Sequence, residues 1–246
     1  MGSIISVEHV GQSFGNHTIY TDVSFEVQSG EVFAILGGSG CGKSTLQRQM
    51  IGLLPPSSGV VRVLGHEMYP TDPAVLTRIG VMFQAGALFG SMTLLQNVML
   101  PLEMHGDLPA EARAEIARVK LGLVGLSGAV ALMPSEVSGG MSKRAAIARA
   151  MALDPPLLFL DEPSAGLDPI TAAGLDRLIL DLRDEMAITF VMVTHDLASI
   201  LAVADRCIML DAEKAGVIAE GDPRKLRDQD TNPVVHAFFH REMVKP

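Results

Sequence analysis

Cysteine is scarce in this chain, basic residues are outnumbered, and no apolar run is long enough to cross a bilayer. Only Cys41 and Cys207 occur among 246 residues. They give no disulfide framework, and their spacing matches no zinc ligand set, so a reduced, cytosolic chain is expected. Lysine and arginine number 19 against 28 acidic residues, for a formal net charge of −9. That balance argues against a general grip on nucleic-acid phosphates, which needs a basic surface. It also removes a simple electrostatic route to anionic lipid, so membrane attachment is expected through a protein partner. The longest weakly polar stretch, Leu121 to Met133, is too short to span and is broken by Gly122, Gly125, Ser127 and Gly128. No basic segment followed by an apolar run opens the chain, so no secretory signal is expected. Met1-Gly2-Ser3-Ile4-Ile5-Ser6 fits a myristoylation pattern, but Ile4 to Val10 reads as a first strand. Internal repeats and low-complexity tracts are also missing.

What is present is an apolar fraction of 48%, enough for one large α/β domain or one domain with a modest subdomain. The first part reads as antiparallel strands: Ile4–Val10, then Phe25–Gln28 turning at Ser29-Gly30 into Val32–Leu36, and Val60–Leu64 after the turn-rich 55–59. Later apolar runs lack alternation: Ile79–Phe83, Leu157–Leu160, Thr189–Val193 and Cys207–Leu210. Strands buried on both faces in a parallel sheet look like this. After Pro169, residues Leu175, Leu178, Ile179 and Leu182 share a helical face. Pro109–Lys120 and Met141–Leu153 read as helices, and 87–155 as a helical insertion in the α/β domain.

Gly37-Gly38-Ser39-Gly40-Cys41-Gly42-Lys43-Ser44-Thr45 contains the pattern G-x-x-x-x-G-K-[ST], between an apolar strand and a helix with Leu46, Met50 and Leu53 on one face. Glycines let successive N–H groups curl around a polyphosphate, and the helix start adds its positive dipole end. Lys43 is expected to reach the β/γ-phosphates, and the Ser44 hydroxyl to ligate Mg²⁺. Leu157–Leu160 ends in Asp161-Glu162-Pro163. Asp161, at a strand lip beside nucleotide, fits a Mg²⁺ partner. Glu162, one residue further toward the cleft, fits the group that orients and deprotonates the attacking water.

Ser138-Gly139-Gly140-Met141, between the phosphate loop and the acidic strand, resembles the signature motif of ABC transporter ATPases, and the motif order is that family's over essentially the whole chain. The resemblance implies an α/β fold: a P-loop NTPase (RecA-like) core with an antiparallel β subdomain and an inserted helical subdomain. One domain, 1–246, then divides into a nucleotide-binding core (1–86 and 156–230), the helical signature subdomain (87–155) and a tail (231–246). That tail, with Phe238-Phe239 after Pro233, is either a partner-binding segment or a helix packed on its own domain. Phe14 sits where the family stacks an aromatic on adenine. Gln84 matches the loop glutamine that touches the metal site and the permease, Ser164–Asp168 the D-loop, and His195 the switch histidine. ATP and Mg²⁺ are the implied cofactors. A head-to-tail homodimer is also implied, each ATP lying between one protomer's phosphate loop and Ser138, Gly139, Gly140 and Asp168 of the other. Met141 in place of the usual glutamine and Phe14 in place of the commoner tyrosine depart from the pattern without removing a group the chemistry requires.

Phe83-Gln84-Ala85-Gly86-Ala87-Leu88-Phe89, Leu132–Glu136, Arg144-Ala145-Ala146 and Asp168-Pro169-Ile170-Thr171 further resemble the ATPase of mammalian-cell-entry-type lipid transporters, including the maintenance-of-lipid-asymmetry system. This implies phospholipid or another hydrophobic lipid as cargo, an integral-membrane permease, a lipid-binding mammalian-cell-entry-type partner, and a peripheral position at the cytoplasmic face of the inner membrane. An importer ATPase for a small solute such as an amino acid would also fit a permease contact. A soluble ABC ATPase working on ribosomes or DNA usually has two cassettes or long coiled-coil arms, and its nucleic-acid partner suits the acidic balance poorly. A nucleotide-dependent assembly switch is disfavoured by the retention of Glu162 and His195.

Overall fold

The computed structural model describes residues 2–229 and 231–242; Met1, residue 230 at the end of the expected core and 243–246 of the expected tail lie outside the described residues. Strands β1 (Ser3–Phe14) and β2 (His17–Gln28) pair antiparallel, with Val23, Phe25 and Val27 of β2 turned inward and the residues between them exposed. The sequence reading carries this antiparallel group on into Val32–Leu36, and here the structure differs. Strand β3 (Val32–Gly37) joins a second sheet and runs parallel to its neighbours there. All six of its residues are buried, which fits a strand covered on both faces and not one with a wet side.

Helix α1 (Lys43–Met50) follows β3. Leu53, expected on its apolar face, lies past the helix end and is 63% exposed, because the chain turns at Ile51-Gly52. Strands β4 (Ser58–Val63) and β5 (His66–Glu67) complete the first sheet in the order β2-β1-β4-β5. A single turn, α2 (Pro73–Leu76), leads into β6 (Ile79–Met82). Helices α3 (Leu94–His105), α4 (Ala110–Leu123) and α5 (Gly139–Ala150) come next. They bring Val98, Leu102, Ala117, Leu121, Ala146 and Ile147 into one cluster.

The remaining elements are β7 (Leu157–Asp161), α6 (Pro169–Met186), β8 (Thr189–Val193), α7 (Leu197–Val203), β9 (Arg206–Asp211), β10 (Gly216–Gly221), α8 (Pro223–Gln229) and α9 (Pro233–His240). The second sheet has the order β10-β9-β3-β8-β7-β6, with β10 an antiparallel edge. One face of this sheet shares a core with α1 and the antiparallel sheet, and the other lies over α3 to α6. Of the two readings of the tail, the described residues take the packed one: Val235 and Phe239 of α9 sit against Leu197, Ile200 and Met209. Among the described residues no helix is long and apolar enough to cross a membrane. Because β3, β8, β7 and β6 are neighbours and parallel, the loops after them open at one edge of the sheet, where α/β folds hold ligands.

Candidate nucleotide-binding and catalytic site

The phosphate loop leaves β3 at Gly37 and re-enters regular structure at Lys43. Its Gly38-Ser39-Gly40 tip is exposed, while Cys41 is buried, with its thiol turned inward to accept from Lys43 Nζ at 3.8 Å. Burial also pushes the Cys41 thiol up from its ordinary range. Gly42 caps α1 in the left-handed region at φ 99°. A Cβ there would stand 2.5 Å from Ile19 Cγ2 and 2.8 Å from the Tyr20 ring, so glycine is required on two counts. The cap has no side-chain acceptor, and the first turn of α1 holds no acidic residue. Lys43 Nζ donates to the carbonyls of Gly37 and Gly38 at 2.8 Å each, which holds the loop curled over its own ammonium.

A buried polar chain ties this helix to the first sheet. The Tyr20 hydroxyl donates to Gln49 Oε1 and Gln49 Nε2 to Gln12 Oε1, both at 2.8 Å. It fixes β1, and hence Phe14 at the end of β1, relative to the phosphate loop. Phe14 is 50% exposed, with its ring available to a planar ligand.

Asp161 and Glu162 follow from β7, and His195 from the end of β8. Glu162 Oε1 lies 2.7 Å from His195 Nδ1. An ionised carboxylate only accepts, so the contact places the imidazole proton on Nδ1. The two residues differ in burial, with side-chain exposures of 12% for Glu162 and 70% for His195. Glu162 itself is left-handed, at φ 47°, a conformation that costs a non-glycine residue about 1–3 kcal/mol. Its N–H donates to Val193 O at 2.8 Å, and that bond to β8 helps to hold it there. Burial, and then the charge of Glu162, push the Asp161 carboxyl above its usual range, while Lys143, Arg48 and the Gln84 N–H pull it back.

Gln84 follows β6 on an exposed loop. That loop, Asp161, Ala165 and the start of α5 enclose a cleft of about 690 Å³. A slightly roomier groove of about 730 Å³ runs along β1 and β2 past Arg206, away from these residues, and Arg206 there is already paired with Glu31 and Glu220. We place the chemistry in the cleft at the strand ends, where the carboxylates are.

Ser138, Gly139 and Gly140 open α5. Ser138 Oγ accepts from Met141 N at 3.2 Å. Gly140 lets α5 close on α6: a Cβ there would come 2.4 Å from Thr171 Cγ2. The Asp168 carboxylate accepts from the N–H groups of Ile170 and Thr171 at 3.1 Å each and from Thr171 Oγ1 at 2.5 Å. Both residues serve as caps of their own helices. The structure thus brings Lys43, Ser44, Asp161, Glu162, Gln84 and His195 to one edge; Ser138, Gly139 and Asp168 are exposed, Gly140 is buried against α6, and Gly139 also lines the cleft beside Asp161.

Sequence reasoning missed two cations. Lys143 Nζ donates to the carbonyls of Gln84 and, at 3.2 Å, Glu162. Arg149 donates to Ala87 O at 2.6 Å and Gly86 O at 2.9 Å. The available signal was a lysine spaced to share the apolar face of a small-residue helix with Ala146 and Ile147.

A family model described as "ABC transporter" matches residues 20–165. The chain is 39% identical over 241 residues to the intermembrane phospholipid transport system ATP-binding protein MlaF of Haemophilus influenzae, covering 94% of this chain and 89% of that protein. It is 38% identical over 250 residues to a probable ribonucleotide transport ATP-binding protein, mkl, of Mycobacterium leprae, covering 100% of this chain and 71% of that protein. Among solved structures, the dimeric post-hydrolysis state of the ATP-binding cassette MJ0796 bound to ADP and Pi matches with a TM-score of 0.77 at 30% identity, over 89% of this chain and 98% of that one.

Proposed function

This chain belongs to the ABC transporter family and is one of its ATPases, and from that premise we propose that it powers the movement of phospholipid or another hydrophobic lipid through a membrane permease. The observation that carries the lipid reading is the near full-length likeness to a protein named for intermembrane phospholipid transport. The likeness to a protein named for ribonucleotide transport favours a second reading, in which the same ATPase serves a small-solute permease. The site chemistry is common to both.

In this reading 1–86 and 156–230 are the nucleotide-binding core and 87–155 the helical signature subdomain. Phe14 stacks on the base, and the phosphate-loop N–H groups with Lys43 cradle the phosphates. The start of α1, without a side-chain cap or an acid in its first turn, supports that fit, since helix-start N–H groups suit phosphate oxygens. Ser44, Asp161 and Gln84 would hold Mg²⁺. Among the described residues no three His, Cys, Asp or Glu side chains cluster for a metal, which suits a cation held by one carboxylate together with substrate phosphates. When bound, Mg²⁺ neutralises charge on the phosphates. Glu162 orients the attacking water and accepts its proton, and His195 fixes the carboxylate from one side.

The chain works as a homodimer, with Ser138, Gly139, Gly140 and Asp168 of each protomer facing the other's ATP. A fold match to a dimeric cassette supports this arrangement. The permease anchors it at the cytoplasmic face of the inner membrane, and a mammalian-cell-entry-type protein receives or delivers the lipid.

The test begins with the complex isolated from native membranes in mild detergent. Co-purification of a multi-span permease, a lipid-binding protein and phospholipid supports the lipid reading. A permease with a small-solute receptor discards it and keeps the ATPase. Within that complex, Glu162→Gln is expected to bind ATP and hydrolyse it about 100- to 1,000-fold more slowly, the scale of losing one preorganised catalytic group. Undiminished turnover would remove Glu162 from the mechanism.

A further inference from the structure

Helix α5 carries mostly small side chains, and a buried lysine on such a helix needs a reason. Lys143 is 8% exposed, on the face it shares with the fully buried Ala146 and Ile147. Burial pushes its pKa down, and the nearby Asp161 and Glu162 charges oppose that shift. Its hydrogen bonds go to backbone carbonyls, those of Gln84 and Glu162. One carbonyl lies in the loop after β6 and the other just past β7. Both belong to residues needed at the reacting end of ATP.

Two further features bear on this contact. Glu162 is held in a left-handed conformation, with its N–H bonded to Val193 O and its carbonyl accepting from Ala165 N–H at 3.2 Å, and Lys143 adds the side-chain donor to that carbonyl. The Gln84 loop hangs from α5 at a second point, through Arg149 to Gly86 and Ala87. α5 therefore grips both edges of the cleft, with Lys143 in its lining.

We propose that Lys143 is a positioning residue for ATP hydrolysis: by binding the Gln84 and Glu162 carbonyls with one buried ammonium, it sets the spacing between the metal-site glutamine and the base. That spacing then follows the position of α5, whose Ser138–Gly140 end faces the partner's nucleotide. The inference rests on the roles proposed above for Glu162 and Gln84.

The test is steady-state ATPase kinetics of the purified transporter complex carrying Lys143→Met, which keeps the length and removes the donors, or Lys143→Arg, which keeps the charge. Lys143→Met is expected to lower kcat about 10- to 100-fold, the range for lost outer-shell partners of a metal site. KM for ATP should stay unchanged, and the Mg²⁺ concentration for half-maximal rate should rise. Lys143→Arg should recover most of the rate. Wild-type kcat in Lys143→Met overturns the proposal. So does an equal collapse of kcat and ATP binding in both variants, which marks a purely structural lysine. If Lys143→Met fails to assemble, Lys143→Gln, shorter and neutral but still a donor, should show an intermediate kcat at unchanged KM; wild-type kcat there overturns the proposal equally. Glu162→Gln measured in parallel separates the two levels. If it keeps full turnover, the assignment of the base fails whatever Lys143 does. If it loses turnover while Lys143→Met does not, only the positioning role fails.

Discussion

Helices α1 and α6 treat their first turns in opposite ways. An α-helix starts with N–H groups that its own backbone cannot satisfy. α6 meets this need internally: Asp168 accepts from the N–H groups of Ile170 and Thr171, and the Thr171 hydroxyl, followed by those N–H bonds, holds its carboxyl below the usual range. α5 does the same with Ser138, and α3 with the reciprocal pair Thr93 and Gln96. α1 has a left-handed glycine for a cap, no side-chain acceptor and no acid in its first turn. α4 likewise starts, at Pro109, without a side-chain cap, but it carries Glu111 in its first turn; α1 has neither a side-chain cap nor an acid there, which leaves it open to an outside acceptor. The missing cap together with the missing acid sets α1 apart, and it suits the polyanion that the proposed function brings to an acidic protein.

Four changes probe this contrast. The largest effect is expected from Lys43→Ala, which removes the charge beside the uncapped turn. ATP affinity in calorimetric titration should fall at least about 100-fold, or about 2.8 kcal/mol. Retention within threefold would mean that the N–H groups of α1 suffice alone. Next is Gly42→Ala, which adds a Cβ where the ring of Tyr20 and Ile19 already stand. Strain and overlap should cost about 2 kcal/mol in urea denaturation without nucleotide. An unchanged midpoint would show that the loop can relax, and that its glycine serves only the ligand.

Ser138→Ala is expected to cost about 1 kcal/mol by the same measurement, as loss of an ordinary N-cap. A neutral result would show that α5, like α1, has an end kept for a ligand. The smallest effect concerns pH. The Asp168 carboxyl titrates lower in the folded chain than in the unfolded one. Its contribution is therefore complete above the ordinary carboxylate range and is lost as pH falls through its depressed folded value. Asp168→Asn, which still caps, should leave the melting temperature at pH 7 nearly unchanged and flatten its fall between about pH 5 and 3. An equally steep acid decline would assign that decline to other carboxylates.

What could be read from the sequence, and what could not, follows from the range of the forces involved. The phosphate loop, Asp161-Glu162 and Ser138-Gly139-Gly140 are contiguous, and backbone geometry dictates their residue types, so they are visible without a fold. The two-face burial of β7 and β8 was visible for the same reason. Val32–Leu36 was misgrouped because a turn at Ser29-Gly30 is a local signal, whereas the partners of β3 lie far along the chain. Helix α3 lay inside the expected helical insertion 87–155 but was not delimited, although Thr93 and Gln96 form a reciprocal cap, since Pro101 interrupts the helical pattern. For Lys143 the helical spacing signalled burial, but what it holds was illegible for a deeper reason. Its partners are backbone carbonyls, one of them 59 residues away, and a carbonyl carries no sequence identity.

The central place of β3 has a consequence for how the protein is made. The Val32 N–H bonds to the Asp205 carboxylate, 173 residues further on, and the neighbours of β3 on both sides are β8 and β9. At ribosomal rates of about 5–20 residues per second, β3 waits roughly ten to thirty seconds for those partners to emerge. Until then Val32-Phe33-Ala34-Ile35-Leu36, five apolar residues in a row, is unpaired on both edges, a natural client for a chaperone. The strand that presents the phosphate loop is synthesised before both of its sheet partners, and it can be locked in place only after β8 and β9 have followed.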